Sequence, residues 1–104
     1  METKEAKKKM IEIVQIRSKK KREKFISPKS MGGDKFLNIF DYCLERLEYE
    51  YRNVLVNSFI NCTYKFWWLE YYSKSTFYRM RERALVSFVS LFEMIYENIS
   101  DFAY

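Results

Sequence analysis

The residue types and spacing best suited to chemistry lie in one stretch, Tyr72 to Leu85. Ser73 and Ser75 are hydroxyl residues of the kind that cap the start of a helix. Four cations follow within about three turns: Lys74, Arg79, Arg81 and Arg83. Apolar residues recur among them at helical spacing: Phe77, Met80, Ala84 and Leu85. The pattern predicts a capped helix with one docked face and one cationic face, a shape that proteins insert into the major groove of duplex DNA.

Each residue of this stretch has a predicted role. With Ser73 as the N-cap, the free backbone amides of the first turn favour a phosphate. The residues predicted to reach base edges lie opposite the apolar face: Lys74, Ser75, Tyr78 and Arg79. Arg79 suits a guanine, whose O6 and N7 accept two hydrogen bonds from a guanidinium. The predicted phosphate contacts are Arg81 and Arg83. The alternative is a solvated face, paired with Glu70 or Glu82.

The positive charge of the chain is concentrated in two places. Residues 1–30 hold eleven Lys and Arg against four Glu, a net charge of +7, whereas residues 31–104 hold eight cations and ten acids, a net charge of −2. Within the second part, residues 73–83 carry a net charge of +3. This distribution favours a polyanionic partner.

Composition excludes several classes of protein. The chain has 104 residues, two glycines and one proline, which favours a single all-α domain. No apolar run approaches the length of about 18 residues that spans a membrane, and no apolar segment follows the basic start, so we expect a cytoplasmic protein without membrane contact. Histidine is absent and Cys43 and Cys62 lie 19 positions apart, so we expect buried thiols and no metal. Without a phosphate loop or converging acids, we expect neither an enzyme nor a cofactor.

The periodicity predicts a series of helices. A weakly amphipathic helix over 3–25 belongs to a basic N-terminal arm, 1–30, which is either solvated and frayed or a docking helix for phosphate or a partner. Pro28 and Gly32-Gly33 break the chain, and Asp34 is a candidate N-cap for the domain that follows, 34–104.

Apolar residues spaced by three and four continue from Lys35 to Phe59, with a bend predicted at 48–51. A break at 61–63, with Thr63 as a cap, is predicted to precede a short helix over 64–70. The last helix is predicted from Lys74 to about Asn98. These elements form a helical bundle with a helix-turn-helix at about 48–91.

Several phrases at ordered spacing resemble region four of bacterial sigma factors. They are Tyr51-Arg52-Asn53-Val54-Leu55, Phe59-Ile60-Asn61, Thr63-Tyr64, Ser73-Lys74-Ser75-Thr76 and Arg83-Ala84-Leu85. The stretch is also similar to ArpU-type phage late-gene regulators and to small sigma-like proteins of mollicutes. The resemblance covers about 47–91 and implies duplex DNA as a partner, with RNA polymerase as a second partner. Two positions depart from the family pattern, since Trp67 replaces a small residue and Tyr71 stands where glycine is usual.

The two adjacent tryptophans cannot both face one core, because neighbouring helical residues point about 100° apart. We expect one to be buried and the other, Trp68, to be partly exposed. Trp68 and Tyr71 are therefore candidate anchors for a protein partner or a second copy of the chain.

Two hypotheses of different class follow. The first is a small DNA-binding transcription regulator or sigma-like factor that reads duplex DNA through the helix starting at Ser73. The alternative is a non-enzymatic helical module that forms a homodimer or binds another protein through its aromatic surface.

Overall fold

The chain is all-α, as the sequence predicts, in a computed structural model that describes residues 2–26, 35–61 and 65–102, and their side chains over 2–22, 35–61 and 65–97. Four α-helices are present in these ranges, together with a π-helical and a 3-10 segment, and the same ranges contain no strand. The helices are α1 (Thr3–Ile26), α2 (Lys35–Glu45), α3 (Tyr49–Leu55) and α4 (Lys74–Phe102). The π-helical segment, Val56–Ile60, follows α3, and the 3-10 helix is Trp67–Glu70.

Helix α2 forms where the apolar spacing predicts it. Its buried residues recur at intervals of three and four, which places them on one side of the helix: Phe36, Leu37, Ile39, Phe40 and Cys43. Two of their rings pack edge to face on rings of α4, at 5.1 Å between centroids for Phe40 and Phe88. The same geometry joins Phe36 to Phe92 at 5.1 Å. Aromatic pairs of this kind contribute beyond their buried area.

The predicted bend between α2 and α3 is confirmed, since α2 ends at Glu45 and α3 begins at Tyr49. Arg52 stabilises this corner. Its Nε donates to the carbonyl oxygen of Leu44 at 3.2 Å, and its Nη2 donates to those of Glu45 and Leu47 at 3.1 and 3.3 Å. The last carbonyls of a helix lack intrahelical partners, so Arg52 satisfies them from the next helix.

Replacing Arg52 by alanine is expected to lower the free energy of unfolding by about 1–3 kcal/mol, because these carbonyls lose a charged donor. Arg52→Lys should recover less than half of the loss, because an ammonium lacks the planar fork that spans several acceptors. Chemical denaturation measures both variants. The control is Arg79→Ala, an exposed cation on α4. Equal stability of Arg52→Ala and Arg79→Ala would rule out the capping role.

Helix α1 covers the predicted 3–25, but the interpretation of it as a solvated, frayed arm is wrong. Ala6 and Met10 are fully buried and Ile13 is nearly so, in one cluster with residues of α2 and α4. The Arg17 guanidinium lies 5.0 Å from the centre of the Phe40 ring. The spacing of four and three residues creates a narrow apolar stripe, and Ala6 lets the backbone approach closely. The remaining surface of α1 stays cationic and exposed.

The segment before α4 differs from the predicted helix over 64–70. Among residues 65–70, which the structure describes, Lys65 and Phe66 form a turn and Trp67–Glu70 is helical with 3-10 geometry. Thr63, the predicted cap, lies outside the described residues, as do Asp34, Pro28 and both glycines. Aromatic side chains lose rotamer freedom in an α-helix, so a run dominated by them has a low propensity to extend one. The helix-turn-helix therefore stays a prediction.

Helix α4 carries both apolar clusters of the described structure. Its middle and C-terminal turns supply the main core through residues that include Ala84, Leu85, Phe88, Val89 and Phe92. Its first turns belong to a smaller group, here called the aromatic cluster: Val54, Trp68 and Phe77, with Trp67, Tyr72 and Met80 packed against them. The start of α4 is therefore held by α3 and the 3-10 helix rather than by the main core.

Cys43 is fully buried, and this burial disfavours the charged thiolate and raises the pKa of the thiol to about 11. The prediction of a buried thiol is thus confirmed for Cys43, whereas Cys62 lies outside the described residues. No described helix is long and apolar enough to cross a membrane. Within the same residues, no three Cys, Asp or Glu side chains are grouped as metal ligands.

Candidate nucleic-acid interface

Ser73 caps α4 as the sequence predicts. The backbone N–H of Thr76 donates to the Ser73 Oγ at 3.3 Å, and that hydroxyl donates to the Thr76 Oγ1 at 2.8 Å. The Phe77 N–H donates to the carbonyl oxygen of Ser73 at 2.9 Å and closes the first helical turn. The amides before Thr76 therefore lie at an exposed helix start, where the helix dipole is positive.

The apolar side of this segment is docked. Phe77 is only 4% exposed, and its ring stacks on the Trp68 ring with 4.6 Å between centroids and planes 7° apart. Trp67 packs edge to face on the same Phe77 ring at 5.7 Å. Ala84 and Leu85 continue the buried side about two turns later. The predicted stripe of apolar residues is confirmed.

Trp68 corrects a prediction, because it is 5% exposed and not the outward-facing tryptophan. Trp67 is the half-buried one of the pair. The rotation of the 3-10 helix points Trp68 at Phe77 and Val54, which fill the gap between α3 and α4. A side chain enclosed in this way is not an anchor for a partner, whereas Tyr71, the other predicted anchor, is 70% exposed.

Three of the predicted DNA-contacting cations are solvent-exposed: Lys74, Arg79 and Arg83. None of them forms an ion pair with another described residue, so the predicted alternative pairing with Glu70 or Glu82 is not present. Arg79 and Arg83 lie one helical turn apart, on the side of α4 away from Ala84. Ser75 is exposed on the same side. The outer side of the first turns is thus cationic.

Arg81 and Tyr78 lie elsewhere than predicted. The Arg81 guanidinium lies 4.7 Å from the centre of the Tyr78 ring and 5.9 Å from that of Phe77. Arg81 is half-buried, and its Nε has no hydrogen-bond partner among the described residues. Tyr78 contacts Phe77 and Trp68 edge to face, so it borders the aromatic cluster instead of facing away from it. The helical rotation of about 100° per residue explains both positions.

Helix α1 presents a second set of cations, among which Lys9 forms two ion pairs. The Lys9 Nζ lies 2.7 Å from the Glu93 carboxylate and 3.2 Å from that of Glu5. Hydrogen bonds to Glu93 and then to Glu5 raise the pKa of Lys9. Arg17 and Lys20 are half-buried, each against a phenylalanine ring of α2, whereas the other described cationic side chains of the helix are exposed: Lys4, Lys7, Lys8, Lys19, Lys21 and Arg22.

The sequence did not predict a cavity of about 520 Å³ beside the start of α4. Its walls include Tyr49 and Glu50 of α3, together with residues of the 3-10 helix and the connection to α4. Burial, then the negative charge of Glu50 and the neighbouring Tyr49, raise the pKa of the Tyr72 phenol in this wall. The residues that line the cavity come from two stretches about twenty positions apart in the chain, so no local spacing in the sequence predicts it.

Comparison with known proteins identifies no relative that shares this geometry. The resemblance to sigma region four therefore depends on the phrases in the sequence, while the interface depends on the capped, cationic start of α4. No protein-family model, no curated protein and no solved structure matches the chain.

Proposed function

We propose that the protein is a small DNA-binding transcription regulator that reads duplex DNA through the first three turns of α4. The observation that carries this proposal is that Arg79 and Arg83 are exposed and unpaired among the described residues on the outer side of these turns, while Lys74 is likewise exposed and unpaired at the first residue of the helix. Exposed cations on a helix are suited to phosphates and guanine edges.

The helix start supports contact with a phosphate. Ser73 fixes the first turn by accepting from the Thr76 N–H, and the exposed amides beside it add a positive dipole end. An anion is stabilised by typically about 0.3–1 kcal/mol at such a position, so the amides assist binding but do not supply sequence preference. Sequence preference is assigned to Arg79, whose guanidinium can donate hydrogen bonds to both O6 and N7 of a guanine.

The packed apolar side of α4 supports the proposal because it holds the start of this helix in a fixed orientation. Because the Phe77 ring is stacked on Trp68 of the 3-10 helix and lies in one buried cluster with Val54 of α3, the cationic side of α4 is held at a fixed rotation relative to both. A helix that recognises base sequence requires such a fixed orientation, since its side chains lose their hydrogen bonds to the bases when they are displaced. The exposed cations of α1, including Lys7 and Lys8, are assigned to non-specific attraction of the backbone. RNA polymerase as a further partner is proposed from the sequence resemblance alone.

The test begins with selection of bound fragments from random duplex DNA, followed by affinity measurements on preferred and scrambled duplexes over a range of salt. We expect affinity to fall linearly on a log–log plot against salt, with a slope of about −0.9 for each neutralised phosphate. Arg79→Ala should reduce the preference for the selected sequence by about 5- to 100-fold, the equivalent of one lost base contact. Lys8→Ala should weaken binding to both duplexes alike.

The matched control is Arg46→Ala, which removes one exposed positive charge from the α2–α3 corner. If Arg46→Ala and Arg79→Ala change binding equally on both duplexes, α4 does not read sequence. Absence of duplex retention even at low salt would refute the function as a whole.

A second function is favoured by a specific observation, the exposed apolar residues around the 3-10 helix. Phe66 and Leu69 are both more than half exposed, as is Tyr71. Large apolar side chains exposed close together in the sequence are typical of protein interfaces. In this alternative the chain is a helical interaction module that forms a homodimer or binds another protein. A tight dimer that Leu69→Glu converts to a monomer, combined with no duplex binding, would favour it over the regulator.

A further inference from the structure

The cavity beside α4 has the walls of a cation site. Four aromatic side chains line it, from α3, the 3-10 helix and the connection that follows: Tyr49, Trp67, Tyr71 and Tyr72. Its volume of about 520 Å³ lies within the usual range for small-molecule sites. The Tyr71 and Tyr72 rings are tilted by 55° with 6.4 Å between centroids, so they present faces in different directions. Aromatic faces arranged around a space attract cations through the ring quadrupole.

The charge of the cavity agrees with this chemistry. Glu50 and Glu70 line it, and neither forms an ion pair with another described residue. The described lining includes no Lys or Arg, so the two carboxylates give it a formal charge of −2. Since phosphate would be repelled, DNA is not the occupant.

We propose that this acidic-aromatic cavity binds a substituted ammonium group. The aromatic faces would enclose its methyl or methylene groups while Glu50 and Glu70 neutralise its charge. A bare metal ion fits less well, because hard cations prefer several oxygen ligands and no cluster of three acidic side chains exists among the described residues. The proposal is independent of the DNA-binding function, since no residue assigned to DNA lines the cavity.

The ammonium can come from a free small molecule or from a methylated lysine side chain, and the experiment separates these sources. Choline is titrated into the full-length protein at constant ionic strength, and its N-methyl proton resonance is followed by NMR. Stacking against rings should shift this resonance upfield in a saturable manner. The uncharged isostere dimethylbutanol, in which carbon replaces nitrogen, should bind at least about tenfold more weakly because it lacks the charge.

Two variants test the walls. Tyr71→Leu and Glu50→Gln should each weaken choline binding by about 3- to 10-fold, since each removes one partner of the cation. Both residues are exposed, so neither change should unfold the chain. The matched controls are Tyr42→Leu and Glu45→Gln on α2, which are exposed outside the cavity and should leave choline binding unchanged.

A glycine–serine peptide carrying one trimethyllysine identifies the source. Tighter binding of this peptide than of choline assigns the site to a lysine side chain, whereas weaker or equal binding assigns it to a free ammonium compound. The proposal is overturned if choline gives no saturable shift. It is equally overturned if dimethylbutanol binds as well as choline, or if Tyr42→Leu matches Tyr71→Leu.

Discussion

Replacing Phe88 by alanine is expected to lower the free energy of unfolding by about 3–5 kcal/mol, a large part of the stability of about 5–15 kcal/mol typical of a single domain. Phe88 is fully buried and lies at the junction of α2 and α4. Its ring meets Phe40 edge to face at 5.1 Å and stacks on Phe92 at 6.1 Å. Alanine removes both contacts and leaves a cavity that the surrounding rings only partly fill.

Chemical denaturation followed by circular dichroism measures this loss, and the thermal midpoint should fall by roughly 15–30 °C. Met94→Ala provides the control, because Met94 is an apolar residue of the same helix that is 55% exposed. Its replacement should change the free energy of unfolding by less than about 0.5 kcal/mol. A loss below about 1 kcal/mol for Phe88→Ala would mean that the main core is not centred on this ring.

Helices whose apolar residues repeat at three and four were predictable from the sequence. The spacing of Phe36, Phe40 and Cys43 predicts the buried side of α2, and the hydroxyl of Ser73 predicts the start of α4. Both features are local, since a cap and a stripe depend on residues within a few positions of one another. The bend at 48–51 was also predicted, although through the family resemblance and not through a visible break signal.

Features that depend on distant residues were not predictable. Arg52 stabilises the α2–α3 corner through carbonyls five to eight positions earlier. Every residue has a backbone carbonyl, so the residue types do not indicate which carbonyls accept from Arg52. The sequence leaves the burial of α1 open between a solvated arm and a docking helix, because a stripe of Ala6, Met10 and Ile13 is narrow amid many charges. Adjacent tryptophans reveal that one points inward but not which one, because that depends on where the 3-10 helix begins.

In the candidate interface, too, some residues lie where the sequence predicts them and others do not. The cations at Lys74, Arg79 and Arg83 are exposed as predicted, since nothing in the local pattern directs them inward. Arg81 differs because the rings of Tyr78 and Phe77 offer it a stacking surface. The guanidinium is weakly hydrated and stacks readily on aromatic faces, so Arg81 lies over rings that stand three and four positions earlier in the same helix.

Trp68→Ala is the second change with a large expected effect, and it connects the fold to the proposed function. Loss of a buried tryptophan costs about 3–5 kcal/mol, and here it removes the ring on which Phe77 stacks. The first turns of α4 then lose their attachment to α3. We expect faster hydrogen exchange of the amides over 77–83, and a fall in duplex affinity although Trp68 is buried away from solvent.

Leu69→Ala is the matched control, because Leu69 is the next residue and is 59% exposed. It should leave both the exchange rates and the duplex affinity unchanged. If Trp68→Ala accelerates exchange but leaves sequence-selective binding intact, then the rigid placement of α4 is not what DNA binding requires. If both variants behave alike in exchange, the aromatic cluster does not hold α4, and the docked apolar side does not orient the cationic side.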